Sequence, residues 1–253
     1  MEQLAPYFLL LILGLACGSF LNVVVYRYQE GVSLLNPRSH CPGCKASLQP
    51  RDLFPILSFI LLKGRCRYCG KGISWSYPLV ELLSAGIFLF CFFYFKFTPL
   101  FFKYVVIFVL LLVLSCIDVR MHLLPNRFIF ILFAWGFFWQ FFYPVVSLGS
   151  ALAGFFMGGG LFYVISLLSK GGMGGGDVKL MAALGFLMGH WPSIFLIFLL
   201  SFSLGAFVGV ILLFLKKKTS KSPLALGPFL SLSFFVVTFW GARIWEWYWL
   251  TVR

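Results

Sequence analysis

Long apolar stretches separated by short polar breaks make up almost the whole chain. About 20 consecutive apolar residues are enough for a helix to cross a bilayer core. On that measure the pattern predicts eight membrane spans: Leu4–Tyr26, Pro78–Phe95, Leu100–Ile117, Phe128–Tyr143, Val145–Ser169, Val178–Gly189, Pro192–Leu215 and Leu224–Leu250. The sixth is short for a bilayer of ordinary thickness, which calls for a helix that is tilted, half-buried or begun inside the bundle. Only one polar segment is long, Arg27–Tyr77. The expected organisation is therefore a first transmembrane helix over 1–26, a loop domain over 27–77 and a transmembrane domain over 78–253.

Composition agrees with that pattern. The chain is 61% hydrophobic and 11% charged, with mean hydropathy +0.99. A soluble domain carries about a quarter charged residues, so the expected class is an all-α polytopic membrane protein. The net charge of +13 is spread over a few short loops rather than one continuous face. It therefore speaks for topology and anionic lipid, with no nucleic acid as partner. The 27–77 loop holds eight Lys/Arg against two acids, and Lys216, Lys217, Lys218 and Lys221 form a second basic loop. With eight spans these loops fall on one side, which the positive-inside rule makes cytosolic, and both termini lie outside. Trp240, Trp245, Trp247, Tyr248 and Trp249 then form an aromatic anchor at the outer interface. No cleavable signal peptide is expected, because the first apolar run lacks a basic start and a small-residue cleavage site.

Against this apolar background the polar residues with chemistry stand out. Gly171–Leu180 reads Gly-Gly-Met-Gly-Gly-Gly-Asp-Val-Lys-Leu, a backbone that a bound chain can approach closely, ending in a carboxylate where an apolar helix begins. The stretch matches neither a phosphate-binding loop nor a dinucleotide fingerprint. Of the three Asp in the chain, Asp118 and Asp177 adjoin spans on the same side, and Asp52 lies in the polar loop. Two carboxylates brought together share one proton, so that one activates water as a base while the other serves as an acid. The plainer alternative has Asp118 pairing with Arg120 or capping a helix, and Asp177 supplying a helix N-terminal charge.

Cys41-Pro-Gly-Cys44 and Cys66-Arg-Tyr-Cys69, twenty-one residues apart, form two Cys-x-x-Cys pairs in the polar loop. That spacing suits a zinc ribbon in which four thiolates close a structural site. Unligated cysteines or two disulfides are the alternatives. Cys17, Cys91 and Cys116 lie in apolar runs as small hydrophobes. Asn22 is expected to bond to another helix. Glu81 suits a helix N-terminus or lines a site, and His40, His122 and His190 are expected at surfaces or interfaces.

Several of these residues together resemble the bacterial type IV prepilin peptidases. The resemblance rests on Gly18-Ser-Phe-Leu-Asn-Val through Arg27, the two cysteine pairs, Tyr77-Pro-Leu-Val-Glu81, Ile117-Asp118, Gly174-Gly-Gly-Asp-Val-Lys-Leu180 and Gly227-Pro-Phe-Leu230. They occur in the family's order and span almost the whole chain. The resemblance implies a GxGD-type aspartic protease of the bacterial inner membrane that cleaves the basic leader of prepilins or pseudopilins on the cytosolic face. It further implies N-methylation of the new N-terminus, with S-adenosylmethionine as methyl donor. Carried onto this chain, the catalytic roles fall on Asp118 and Asp177 and the zinc roles on Cys41, Cys44, Cys66 and Cys69. Gly174, Gly175, Gly176 and Lys179 form the expected substrate-approach loop.

Departures from the family pattern are Asp52-Leu-Phe-Pro55 for Asp-Asn-Ile-Pro, Pro125-Asn126 for Pro-Asp, and Leu226 before Gly-Pro-Phe. The first bears on methylation. No sequence fingerprint locates an S-adenosylmethionine pocket, although the polar loop is its expected contributor. The oligomeric state is left open. Two other classes compete. A transporter with a zinc-stabilised loop would place its acids near the bilayer midplane, and a presenilin-like protease would not need the cysteine loop.

Overall fold

The computed structural model describes residues 4–33, 39–169, 172–216 and 223–252. Gly171, Lys217, Lys218 and Lys221, named above, lie outside the described residues. All eight expected apolar stretches are helical. α1 is Ala5–Glu30, a short α2 is Leu57–Leu61, α3 is Ser76–Phe95 and α4 is Pro99–Met121. They are followed by α5 (Asn126–Phe142), α6 (Leu148–Leu168), α7 (Gly175–Met188), α8 (Trp191–Phe214) and α9 (Gly227–Val252). Among the described residues, six of these (α1, α3, α4, α6, α8 and α9) are long and apolar enough to cross a membrane. α5 and α7 are shorter, at 17 and 14 residues.

Several helix boundaries differ from expectation by up to four residues, and two of the shifts place Asp118 and Asp177 within helices. α4 does not stop at Ile117; it runs on through Asp118 to Met121, where His122 turns to positive φ and its N–H closes on the Asp118 carbonyl at 2.8 Å. No glycine or proline lies between Ile117 and Leu124 to end the helix sooner. Asp118 is thus a helical residue rather than part of a polar turn. α7 begins at Gly175, three residues before the expected Val178, so Asp177 sits in its first turn. An acid there suits the positive end of the helix dipole.

The chain divides into two compact units, Met1–Val109 and Leu110–Arg253, with the division falling inside α4. In the first unit α1 packs on α3 through glycines one turn apart. A Cβ on Gly14 would stand 2.6 Å from the Ala85 Cα, and one on Gly18 would stand 2.6 Å from the Glu81 Cα. Asn22 ties the same pair, its side-chain amide donating to the Tyr77 carbonyl at 3.0 Å. Apolar helices in lipid gain little from hydrophobic burial, so close backbone approach and interhelical hydrogen bonds hold them together.

The second unit is built around α7, whose residues Leu180–Leu187 are buried without a break. α5, α6, α8 and α9 all contact it. At α6 the approach is backbone on backbone: Gly154 and Gly185 face each other's carbonyls, and a Cβ on Gly158 would meet the Met181 carbonyl oxygen at 2.7 Å. At about 1.5 Å per residue α7 is about 21 Å long, short of the about 30 Å hydrocarbon core, and it is enclosed by its neighbours instead of exposed to lipid. Gly158→Ala should therefore cost about 1–3 kcal/mol by overpacking. Gly149→Ala, on the same helix with open space at its Cβ, should be neutral or slightly stabilising. Thermal unfolding midpoints in detergent should fall for the first variant and hold for the second.

Candidate active site and metal centre

The second unit brings Asp118 and Asp177 to the same neighbourhood. Asp118, on the last turn of α4, is 5% exposed, and its Oδ2 accepts the Gly227 N–H at 2.7 Å. Gly227 is the first residue of α9, with Pro228 next, so Asp118 satisfies one of the N–H groups that a helix start leaves unpaired. The capping alternative for Asp118 is therefore realised, alongside whatever chemistry the group performs. The Asp177 backbone N–H closes on the Gly174 carbonyl at 3.1 Å, and its carboxyl is half-buried and interacts electrostatically with that of Asp118.

Leu124 packs against the glycines next to both acids' supports, Gly176 and Gly227. A Cβ on Gly176 would lie 2.8 Å from the Leu124 Cβ, and one on Gly227 would lie 2.8 Å from Asp118 Oδ2 and 3.1 Å from Leu124 Cδ2. Both glycines are thus demanded by close approach. Neither Leu124 nor the Gly227 N–H stood out as a site group in the sequence. The Gly-Pro pair was visible there, but its partner acid was not.

The expected substrate-approach loop is mostly helix. Gly174 is the N-cap, Gly175 and Gly176 form the first turn of α7, and Lys179 lies on that helix with its Nζ donating to Asn126 Oδ1 at 3.0 Å. Lys179 and Asn126 stand at one edge of a groove of about 690 Å³ bounded by α5, α6 and α7, and walled by Phe130, Phe133, Phe156 and Gly159. The groove is open and almost wholly apolar, which suits an apolar helix better than a small polar ligand.

In the first unit the polar loop folds as two matching turns. Cys41 N–H donates to Ala46 O and Cys66 N–H to Lys71 O, at 2.9 and 2.8 Å, and single antiparallel bridges His40–Ser47 and Arg65–Gly72 close each turn. Lys45 and Gly70, both at positive φ, occupy equivalent places after the second cysteine of each pair. The turns bring all four thiols within 4.8 Å of one another, with Cys41 and Cys69 at 3.9 Å, and all four are free. Four thiolates at about 2.3 Å from one tetrahedral ion stand about 3.8 Å apart. The donor set therefore fits a metal ion, and the cysteines could hold one.

Beside this centre Asp52 forms a contact set that the sequence did not reveal. Its carboxylate accepts Arg67 Nε at 2.7 Å, the Tyr68 hydroxyl at 2.9 Å and the Gln49 N–H at 3.1 Å. Burial alone would raise this carboxyl, but these donors hold it below its ordinary range. Arg67 and Tyr68 lie between Cys66 and Cys69, so the second cysteine turn positions them. Glu81, 7% exposed on the second turn of α3, accepts the Ile56 N–H at 2.8 Å. His40, expected at the surface, is half-buried against the Tyr26 ring.

Both parts of the chain are similar to proteins of one family. Residues 12–95 match the bacterial Peptidase A24 N-terminal domain, and residues 105–210 match the type IV leader peptidase family. Curated relatives called prepilin leader peptidase/N-methyltransferase are similar over almost their full length. The Bacillus subtilis protein is 32% identical over 95% of this chain and 96% of its own. The Aeromonas hydrophila protein is 35% identical over 96% and 93%, and the Pseudomonas aeruginosa protein 34% over 92% and 90%. No solved structure matches the chain.

The Asp118–Gly227 contact separates the structural role of Asp118 from any chemical one. Asp118→Ala leaves a buried N–H unpaired and should cost about 1–3 kcal/mol, whereas Asp118→Asn keeps an acceptor oxygen and should unfold close to wild type. Unfolding midpoints of the two purified variants measure the difference.

Proposed function

Because the chain belongs to the type IV leader peptidase family, we propose that it cleaves the basic leader from type IV prepilins or pseudopilins at the cytosolic membrane face and N-methylates the amine so exposed. The observation that carries the peptidase reading is that Asp118 and Asp177 lie close enough to interact electrostatically, each on an end turn of an apolar helix. Both matched family models cover the chain as a peptidase, and the transporter alternative finds no support.

The proposed substrate is an apolar helix behind a basic leader. Its helix enters from the bilayer along the groove between α5, α6 and α7. Gly174 and Gly175, exposed at the open end of α7, let the extended scissile segment lie against backbone next to Asp177. Asp118 and Asp177 then share one proton between them. The ionised member takes a proton from water as the water oxygen attacks the scissile carbonyl. The protonated member gives its proton to the leaving amine as the C–N bond breaks, so the pair is regenerated for the next turnover. The basic residues of the polar loop support a cytosolic position for this face.

The four cysteines are proposed to hold one structural zinc, with Cys41, Cys44, Cys66 and Cys69 as its full ligand set. With no open position on the ion, its part is to hold the two turns together. S-adenosylmethionine, when bound, supplies an electrophilic methyl group to the new N-terminal amine.

The test uses purified protein in detergent, with a prepilin peptide spanning leader and apolar helix and mass spectrometry of the product. Leader loss should fall by about 10²–10⁴-fold or more in both Asp118→Asn and Asp177→Asn. Full cleavage by a folded Asp177→Asn enzyme overturns the dyad. Metal analysis should give one zinc per chain. Cys41→Ser should lose that zinc and open the 39–77 segment to proteolysis; a metal-free wild type with a protected loop would contradict the zinc assignment.

A further inference from the structure

Inside the long polar segment, residues 53–62 run Leu-Phe-Pro-Ile-Leu-Ser-Phe-Ile-Leu-Leu, with Ser58 the one polar side chain. An apolar run of that length is too short to span a bilayer. It belongs in a protein core or at a membrane interface, and burial separates the two. No residue of α2, which lies within this run, is buried. Leu57, Ile60 and Leu61 are exposed, Leu61 to 78%, and so is Phe54 just before the helix. The spacing 57, 60, 61 puts three of these on one helix face. Ser58, Phe59 and Leu62 form the other face and are half-buried, with the Phe59 ring edge-on to Trp75 at 4.9 Å between centroids.

The placement of α2 decides what its outer face meets. The Ile56 N–H donates to Glu81, on the second turn of α3. At about 1.5 Å per residue, Glu81 stands about 7.5 Å along that helix from Ser76. α2 is therefore held alongside the first turns of a candidate membrane span. Trp75, the N-cap of α3 and 77% exposed, marks the same level, where an indole suits the headgroup region. Backbone groups near lipid need internal partners. The N–H groups of Ser58, Ile60, Leu62 and Gly64 all donate to carbonyls within 54–59. Arg51, Lys63 and Arg65, all exposed, flank the run with charge suited to anionic headgroups.

We propose that α2 and its flanks form an interfacial anchor, with Phe54, Leu57, Ile60, Leu61 and Trp75 in the headgroup–acyl boundary of the bilayer and Lys63 and Arg65 against anionic phosphates. Apolar faces of helices lying in a membrane plane sink about 5–10 Å into that boundary. The bilayer is the occupant that the placement selects, because this face is continuous with the lipid-facing start of α3. The departure from the family pattern acts in the same direction: Leu53 stands where the pattern has Asn, and Leu53 is exposed. α2 falls between Cys44 and Cys66, so the cysteine module is held to the membrane between its two turns as well as at its ends.

The test uses the full-length protein in nanodiscs of phosphatidylcholine, with and without phosphatidylglycerol. Hydroxyl-radical footprinting of the wild type compares Trp75 with Tyr68, a less exposed ring in the second cysteine turn. In water Trp75 would be oxidised the faster; in the boundary it should lag Tyr68 at least threefold, and a smaller lag overturns the anchor. In a second arm p-benzoylphenylalanine replaces Leu57, Leu61, Lys45 or Lys71 one at a time, and mass spectrometry identifies the adduct after irradiation. Acyl-chain adducts at 57 and 61, at least tenfold above those at the exposed turn positions 45 and 71, are expected. Adducts at 57 and 61 on a second copy of the chain make this face an interface between copies and overturn the anchor, as does an absence of lipid adducts in folded variants. A yield unchanged by phosphatidylglycerol overturns the part given to Lys63 and Arg65. Unfolding midpoints establish that each variant is folded, and where one is not, the wild-type footprint decides.

Discussion

The closest approach in the second unit is between two backbones. Apolar helices in a bilayer gain nothing from leaving lipid for one another, so they associate by contact area and by what their carbonyls can reach. Gly154 and Gly158 of α6 meet Gly185 and Met181 of α7 with no side chain between them. This contact draws α7 into the centre of its neighbours, where a run from Leu180 to Leu187 is buried on every side. A helix enclosed in this way has no need to match the bilayer thickness. Its shortness, anomalous for a membrane span, is what leaves its N-terminal end open as a place for a polar group.

Asp177 occupies that end, and its partner solves the same problem at another helix terminus. A carboxylate in the middle of an apolar helix would have to be neutralised or paired. Asp118 instead sits on the last turn of α4 and accepts the first N–H of α9. Each acid is thus met by the N-terminal end of a helix, Asp118 by the start of α9 and Asp177 by the first turn of α7. An arginine partner would have fixed both charges. A helix N-terminus favours an acid without committing its proton, and a dyad that shares one proton needs that latitude.

Much of this was legible in the chain and some was not, for identifiable reasons. The helices could be read because hydropathy over about 20 residues does not depend on tertiary contacts. Their ends could not, since nothing local tells α4 to continue past Asp118 or α7 to start at Gly175. The pairing of Asn22 with the neighbouring helix was foreseeable, because an amide in an apolar run has few other options. The four cysteines declared themselves by spacing, and the two turns they create repeat each other hydrogen bond for hydrogen bond. What stayed hidden were contacts made by folding that loop: Asp52 with Arg67 and Tyr68, and Glu81 with the Ile56 N–H. Lys179, expected in the substrate-approach loop with Gly174, Gly175 and Gly176, lies on a helix and is tied to Asn126. Glycine content marked the segment's freedom and missed that a helix N-terminus can absorb three glycines.

The proposed hydrolysis makes a demand on solvent that the second unit meets, and the first unit is held together in a different way. Hydrolysis consumes water, so its acids must stand where water reaches, and exposed Gly174 and Gly175 beside half-buried Asp177 provide that opening. Between residues 39 and 77 only Cys41 and Cys66 are buried, so hydrophobic packing alone cannot hold this segment. Here two thiol-bearing turns, the Asp52 ion pair and the Glu81 contact to Ile56 take the place of a core. Four thiols gathered on one ion would cross-link a segment that has no apolar core of its own, which is the situation in which a metal contributes most to folding.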